Sequence, residues 1–200
     1  LRDSKKKKIE DYSKIIDPMC GAGSLIIETA FAVLDIPALR NRQRYGFDKL
    51  KFYCDIAETD KAADTDFRAL INKQQSVKSK FYGFDRSNNF LNITRKNVDN
   101  AKLNGIIKIC RQDFFEPSFE MENSILLFNP PFDERLKTGG AAAEFYARIG
   151  DALKKNCKNS TAFIFTEFND NIKRIGLRPS LNHKLYNGRI ECRLLKYEIY

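Results

Sequence analysis

The sequence lacks the features that would assign it to several common protein classes. It contains no apolar run of the roughly 18 residues that a membrane-spanning helix needs, and no secretory signal pattern. Internal repeats and low-complexity linkers are also absent. We therefore expect a cytoplasmic protein with one main globular domain and no membrane partner.

Cysteine and histidine are sparse and scattered. The five cysteines are odd in number and include no C-x-x-C pair, which argues against both a disulfide framework and a metal site. We expect buried free thiols in a reducing compartment, and no bound metal. The single histidine, His183, is far from the polar strand ends described below and is expected to be structural. The cysteines are Cys20, Cys54, Cys110, Cys157 and Cys192.

Acidic residues are fewer than basic ones. The 35 Lys and Arg against 26 Asp and Glu give a net charge of +9, and residues 5–8 are four consecutive lysines. A basic chain favours a polyanionic partner, with nucleic acid first. The alternative is that the lysine run is a solvated terminus that contacts nothing.

What the sequence does contain is an alternation of apolar strand-like segments and helix-like segments. Near-continuous apolar strands separated by helices predict an α/β fold with a doubly wound, mostly parallel sheet of seven strands. The dipeptide Asn187-Gly188 predicts a tight turn, so the last two strands form a C-terminal antiparallel hairpin. The predicted strands are 14–16, 81–84, 106–110, 124–128, 161–166, 183–186 and 190–200; the predicted helices are 22–34, 59–75, 87–104, 141–157 and 168–175.

Polar residues recur where the first four predicted strands end. Ligands of doubly wound sheets bind past the carboxyl ends of the strands, so these residues are expected to share a site. The strand ends carry Asp17-Pro18-Met19-Cys20-Gly21-Ala22-Gly23-Ser24, then Asp85, then Asp113, then Asn129-Pro130-Pro131-Phe132.

The first of these strand ends is a glycine turn. Gly21 and Gly23 would let the backbone turn tightly and approach a ligand. The third position of the dinucleotide motif is occupied by Ile26, which argues against a pyrophosphate and suits a ligand with a carboxylate.

The two aspartates are suited to a nucleoside. Asp85 is expected to accept hydrogen bonds from ribose hydroxyls, and Asp113 from an adenine amine. The alternatives are a helix-capping or turn residue for Asp85 and an ordinary strand-end acid for Asp113. Asp85 lies much further from Asp17 than the ~20 residues of a bare βαβ unit, which predicts an insertion at about residues 36–80.

The most specific signal is Asn129-Pro130-Pro131-Phe132. The Asn129 side-chain oxygen and the Pro130 carbonyl are two acceptors that can hold both hydrogens of an exocyclic amine. Pro131 stiffens the loop, and Phe132 offers a face on which a base can stack. The alternative is a Pro-Pro loop whose phenylalanine covers the core.

Taken together, D-P-M-C-G-A-G-S-L-I-I-E-T-A at 17–30 and N-P-P-F-D-E-R-L at 129–136 resemble class I S-adenosylmethionine-dependent RNA methyltransferases that often follow a THUMP domain. The resemblance is strongest to bacterial large-subunit rRNA guanine-N2 methyltransferases. K-L-Y-N-G-R-I-E-C at 184–192 is similar to that family's closing hairpin. The resemblance implies a Rossmann-like methyltransferase domain over 14–200 that acts on guanine N2 of ribosomal RNA.

The resemblance also implies roles for the strand-end residues. Asp17, Gly21 and Gly23 would line the methionine part of S-adenosylmethionine. Pro18, Met19, Cys20 and Ser24 would also belong to the cofactor site. Asp85 would bind the ribose, Asp113 would lie near the adenine, and residues 129–132 would surround the target amine, with Asn129 also near the cofactor. The family usually has Tyr at the position of Phe132 and often Gly at the position of Asp133, so the fit of the substrate loop differs here.

Three other functions remain open at this point, and one is a small-molecule or protein-glutamine methyltransferase, because the glutamine type uses a similar N-P-P-Y loop. An adenine-N6 methyltransferase on DNA or RNA would use the same Asn-Pro-Pro-aromatic loop, and a non-catalytic RNA-binding module would keep the fold without the reaction. Residues 1–13 are expected to be a basic linker from an upstream RNA-binding domain. Candidate RNA contacts are Lys5 to Lys8, Arg40, Arg42, Arg44, Arg135 and Lys137.

Overall fold

A computed structural model describes residues 8–36, 80–130 and 141–200. Contacts along the chain divide it into two compact units, Leu1–Ile27 with Ser79–Tyr200, and Glu28–Lys78. The second unit overlaps most of the predicted insertion. Residues 37–79, with the predicted helix at 59–75, lie outside the described residues, so the insertion stays a prediction.

The described strands form one seven-stranded sheet in the order β3-β2-β1-β4-β5-β7-β6. The first five strands pair in parallel, while β7 runs antiparallel to both β5 and β6. The predicted mostly parallel sheet with a C-terminal antiparallel hairpin is therefore confirmed. The strands are β1 Lys14–Asp17, β2 Lys80–Asp85, β3 Ile107–Arg111, β4 Ser124–Phe128, β5 Ser160–Glu167, β6 Leu181–Asn187 and β7 Ile190–Ile199.

Three α-helices are described: α1 Ser24–Val33, α2 Asn88–Asn100 and α3 Ala141–Asn156. Two 3-10 helices add Ile9–Asp11 and Asp170–Ile175. The latter falls within the predicted helix at 168–175, and the Asn169 side chain caps it by accepting from the Asn171 amide at 3.0 Å.

The predicted helix at 87–104 is too long at its carboxyl end. The chain turns at Lys102, a non-glycine residue with φ of 57°, where the Lys102 and Leu103 amides donate to the Asp99 and Val98 carbonyls. This is the hydrogen-bond pattern of a Schellman motif, which normally takes glycine at this position. The expectation that the helix runs on towards Gly105 was therefore wrong.

The hairpin turn is shifted by one residue from its predicted place. Asn187 pairs with Ile190 as the last strand pair, so the two loop residues are Gly188 and Arg189. Gly188 takes a φ of 61°, which glycine tolerates without strain.

Alternate residues of the central strands pack on opposite faces of the sheet. Ile16, Leu126 and Phe128 join a large buried cluster with Ile149 and Leu153 of α3. On α2, which contacts β2 and β3, the buried residues are Leu91, Thr94 and Val98. Right-handed crossovers put α2 and α3 on opposite faces, so the sheet is covered on both sides.

The cysteines only partly follow the expectation of burial. Cys20, Cys157 and Cys192 are buried free thiols, whereas Cys110 is exposed on β3 at the edge of the sheet, so the expectation fails there. Cys54 lies outside the described residues. Within the ranges that the structure describes, no helix is long and apolar enough to cross a membrane.

Candidate functional site at the carboxyl ends of β1, β2 and β4

The site lies where the order of the sheet reverses. The chain moves outward from β1 to β2 and β3 in one direction, and from β4 to β5 in the other, so β1 and β4 are neighbours at the switch point. Such a point opens a crevice at the carboxyl edge, because the connections leave it on opposite sides. Asp17 ends β1 at this crevice, and Asn129 follows β4 there.

The glycine turn after β1 is fixed to the end of β2. The Cys20 amide donates to the Phe84 carbonyl at 2.8 Å, and the Gly21 amide donates to Asp85 Oδ2 at 3.2 Å. The turn closes on itself through the Gly23 amide, which donates to the Cys20 carbonyl at 2.7 Å. The turn therefore takes its shape from a strand that is distant in sequence.

Helix α2 supports the same turn from behind. Thr94 Oγ1 lies 2.5 Å from the Gly21 carbonyl and 2.9 Å from the Phe90 carbonyl, and Asn97 Nδ2 donates to the Ala22 carbonyl at 2.8 Å. Sequence reasoning missed both residues. A signal for Thr94 was available, because it occupies the apolar stripe of α2, and a buried hydroxyl there needs a partner.

The two glycines serve different purposes. A Cβ on Gly23 would lie 2.5 Å from Thr94 Cγ2, so Gly23 is required by packing within the protein itself. A Cβ on Gly21 would meet no heavy atom within 4 Å, although its φ of 52° favours glycine. The space beside Gly21 is therefore open to a ligand.

Asp17 is a buried carboxyl group in an unfavourable environment. Only 1% of its surface is exposed, and its Oδ1 accepts from the Met19 amide at 3.3 Å. Burial, with the nearby charge of Asp85, raises its pKa to about 7, against the opposing effect of the Met19 amide. A cationic ligand group next to Asp17 would compensate the cost of ionising it.

Cys20 beside it is inert as a nucleophile. Burial, and then the charge of Asp17, raises the pKa of its thiol to about 12, so it stays protonated at neutral pH. Its sulfur lies 3.8 Å from Thr94 Oγ1 and is part of the packing under the turn.

Asp85 binds two backbone amides in this structure. Its Oδ2 accepts from Gly21 and its Oδ1 from Ser87 at 2.8 Å, so the turn role weighed in the sequence is present. Each carboxylate oxygen retains a second lone pair, which leaves room for a ligand hydroxyl. Ser87 is the N-cap residue that precedes α2, but its side chain makes no capping hydrogen bond.

Asp113 stands apart from the glycine turn, past β3. Its Oδ1 accepts from the Phe115 amide at 2.9 Å, which fixes the loop that follows. It lines an open cleft of about 680 Å³. The cleft is also lined by Arg86, Ser87, Arg111, Gln112, Glu116 and Ser118.

Asn129 and Pro130 lie on the other side of the switch point. The parallel register opposes Ile16 to Leu126, so Asn129 stands two residues beyond the level of Asp17 on the adjacent strand. Asn129 is exposed and Pro130 is buried. Pro131 and Phe132 lie outside the described residues, as do all the candidate RNA contacts except Lys8.

The remaining predicted site residues surround the turn. Pro18 is buried, Met19 packs against the core cluster, and Ser24 is exposed as the first residue of α1. The structure thus joins Asp17, the glycine turn and Asp85 by direct contacts, with Asn129 on the neighbouring strand end. Asp113 is separate from them, at the next strand end along the sheet.

Comparison with known sequences gives a consistent result. Residues 7–196 match the family model UPF0020, described as RMKL-like, methyltransferase domain. Ribosomal RNA large subunit methyltransferase K/L of Allochromatium vinosum is 33% identical over 189 residues, covering 92% of this chain and 25% of that protein. Putative RNA methyltransferase slr0064 of Synechocystis sp. is 29% identical over 192 residues, covering 93% and 47%. The chain therefore spans a quarter to a half of these relatives.

Solved structures share the fold. A crystal structure of SMU.472, a putative methyltransferase complexed with SAH, is 25% identical with a TM-score of 0.74, covering 98% of this chain and 50% of that one. A possible methylase from Clostridium difficile 630 is 26% identical with a TM-score of 0.72, covering 94% and 48%. Since the family model matches almost the whole length, the resemblance drawn from the strand-end motifs is confirmed, and the chain belongs to the RMKL-like methyltransferase domain family.

Proposed function

We propose that this domain transfers a methyl group from S-adenosylmethionine to an exocyclic base amine of RNA, specifically guanine N2 of large-subunit ribosomal RNA. The observation that carries the proposal is the pairing of two strand ends. The buried acid Asp17 ends β1 and is followed by the glycine turn, and Asn129-Pro130 follows the adjacent β4. The relatives named as ribosomal RNA methyltransferases support the choice of substrate.

The residues at β1 and β2 fit the cofactor. Its methionine part carries an ammonium and a sulfonium, and Asp17 is a buried carboxyl group that a neighbouring cation would help to ionise. Gly21 borders open space, as a close backbone approach requires. Asp85 has acceptor capacity left for ribose hydroxyls, and Asp113 lines a cleft one strand further on, where we assign the adenine.

Asn129 and Pro130 are the residues to which we assign the target amine. An aryl amine is a weak nucleophile, because its lone pair is delocalised into the ring. Two acceptors, the Asn129 side-chain oxygen and the Pro130 carbonyl, would draw its hydrogens to one side and free the lone pair on the other. When bound, S-adenosylmethionine supplies the methyl group on a positively charged sulfur. As the nitrogen–carbon bond forms, the carbon–sulfur bond would break to leave a neutral thioether, and the methylated amine would lose one proton to water. No strong base is needed, and positioning accounts for most of the rate.

We further propose that the 14–200 domain contains an insertion at about 36–80, and that residues 131 and 132 complete the amine site. The longer curated relatives support a division of labour in which segments beyond these 200 residues supply much of the RNA affinity. On that view, this chain alone binds RNA weakly.

The test is methyl transfer to unmodified large-subunit rRNA, with digestion and mass analysis of the nucleosides. N2-methylguanosine is the expected product. N6-methyladenosine would instead show that the adenine amine is the target. If a protein that also carries the further segments of its longer relatives gave no methylated nucleoside, only an RNA-binding role would remain.

The residue-level test is Asn129→Ala. It should lower kcat at least about 100-fold, as loss of a positioned polar group in a reacting site does, while cofactor affinity measured by calorimetry stays within threefold. Asn92→Ala, which changes an exposed asparagine on α2, is the matched control. Full turnover by the Asn129 variant would exclude the proposed amine site.

A further inference from the structure

Half of the carboxyl edge of the sheet carries no residue assigned to the cofactor. This is the half formed by β5, β7 and β6, beyond Asn129 in the strand order. Two large rings are exposed on it: Phe168, directly after β5, is 53% exposed, and Tyr186 on β6 is 63% exposed. Exposed aromatic rings at the edge of a site offer faces on which an unpaired base can stack.

The two rings belong to one row across the sheet. The Phe168 amide donates to the Glu191 carbonyl at 2.9 Å, and Glu191 on β7 is the register partner of Tyr186. Adjacent strands are about 4.8 Å apart, so the backbones carrying the rings are roughly 10 Å apart.

A cation lies against each ring. Arg193 Cζ is 4.4 Å from the centroid of Phe168, and Lys184 Nζ is 5.2 Å from that of Tyr186. Glu191 links the two cations, with Oε1 2.7 Å from an Arg193 nitrogen and Oε2 2.6 Å from Lys184 Nζ. Each cation thus fixes the orientation of a ring. We name these five residues the aromatic–cation rim.

The rim stands next to the Asn129 corner. The register opposes Phe128 to Ile164, which sets Asn129 level with Phe165, and Phe168 follows three residues later. At 3.3 Å per residue, this is about 10 Å further along the strand direction. Arg189, exposed in the hairpin turn, adds a third positive charge to the two cations and one acid of the rim. Glu167 and Asp170 flank Phe168 in sequence, and Asp170 is paired with Lys173.

We propose that the aromatic–cation rim binds the unpaired nucleotides of the RNA that flank the target base. The inference rests on the proposed function, because a base that reaches Asn129 must leave its helix and bring its neighbours to this edge. Exposed ring faces stack on unpaired bases of any sequence, and an excess of cations attracts the phosphates. In paired RNA the base faces are stacked on one another, so the rings have no free base to stack on.

The experiment measures binding directly. Fluorescence anisotropy with a labelled, unpaired RNA of about 12 nucleotides and with the same sequence as a duplex is compared for the intact chain and its variants. Phe168→Ala and Tyr186→Ala are each expected to weaken single-strand binding roughly tenfold. Duplex binding should change less than twofold.

The charged part of the surface is tested by salt. Arg189→Ala should lower affinity for all RNA sequences alike and reduce the slope of log affinity against log salt by about 0.7. Tyr200→Ala is the matched ring control, since Tyr200 is 89% exposed but follows the other end of β7. It should leave RNA binding unchanged.

The outcomes separate this inference from the proposed function. Calorimetry with S-adenosylmethionine and thermal unfolding check that each variant is folded. Ring-dependent RNA binding, together with no methyl transfer by a protein that also carries the further segments of its longer relatives, would uphold the rim and overturn the function. Methyl transfer, together with a single-strand affinity that stays within twofold of the unmodified protein in the double variant Phe168→Ala/Tyr186→Ala, would overturn the rim. The protein could instead self-associate through both rings while the ring variants bind RNA normally. That result would assign the surface to a second copy of this chain and would also overturn the proposed RNA binding by the rim.

Discussion

Replacing Asp17 by Asn should make the protein more stable above neutral pH. The carboxyl group is almost fully buried, and its pKa is raised from 3.8 to about 7, first by burial and then by the charge of Asp85. In the folded state it therefore ionises about three pH units later than in the unfolded chain. At 1.36 kcal/mol per unit, ionised Asp17 costs about 4 kcal/mol of folding free energy.

The sign of the pH dependence follows from the raised pKa. Below pH 3.8 both states hold a neutral carboxyl, and Asp17 costs nothing. Between pH 3.8 and about 7 the unfolded chain loses the proton while the folded protein keeps it, so stability falls as pH rises. Above pH 7 both states are ionised and the loss is constant. An asparagine remains neutral throughout.

Urea unfolding of both proteins at pH 4.5 and pH 8 measures the effect. At each pH, the free energy of unfolding of the unmodified protein is subtracted from that of Asp17→Asn. This difference should be about 3 kcal/mol larger at pH 8 than at pH 4.5. Comparing the two pH values removes any constant cost of fitting the amide. Asp151→Asn, at an exposed carboxylate on α3 paired with Lys154, is the control and should show less than about 1 kcal/mol. Equal pH dependence in the Asp17 variant and the parent would refute the reasoning.

Two further predictions concern packing and the glycine turn. A Cβ on Gly150 would lie 1.8 Å from the Ile175 carbonyl oxygen. Gly150→Ala should therefore lower the free energy of unfolding by about 3 kcal/mol and Tm by roughly 6–12 °C. A Tm within 2 °C of the unmodified protein would show that α3 is free to move away. Thr94→Val keeps the shape of the side chain but loses the hydroxyl that contacts the Gly21 carbonyl. Calorimetry should show that this variant binds S-adenosylmethionine about tenfold more weakly, whereas Thr94→Ser should retain most of the affinity. Equal effects of the two substitutions would contradict a role for the hydroxyl.

The overall fold was predictable because its signals are local. Five apolar segments of strand length alternate with helical segments, and this pattern alone predicts a mostly parallel sheet. The errors are at element ends. Lys102 takes a backbone conformation that favours glycine, so the first glycine after α2 was a misleading marker of its end. The hairpin turn moved by one residue, because strand pairing decides which residues remain in the loop.

The site was predictable only as a set of strand-end residues. Parallel pairing brings such ends together, so Asp17, Asp85 and Asn129 are found at one edge. The burial of Asp17 and the support of the turn by Thr94 depend on contacts between residues far apart in sequence, which no motif records. The aromatic–cation rim was missed for the same reason, since Phe168 and Arg193 meet only through the pairing of β5 with β7.

The hydrogen bond from Gly21 to Asp85 joins residues 64 positions apart, and this has a consequence during synthesis. A ribosome adds about 5–20 residues per second, so the turn waits roughly 3–13 s for its carboxylate partner. Until β2 emerges and pairs with β1, the turn lacks its hydrogen bonds to Phe84 and Asp85, so the cofactor pocket that we propose there is incomplete. On that proposed assignment, the methyl donor cannot assist the early stages of folding, and its binding reports that the nascent chain has already joined its first two strands.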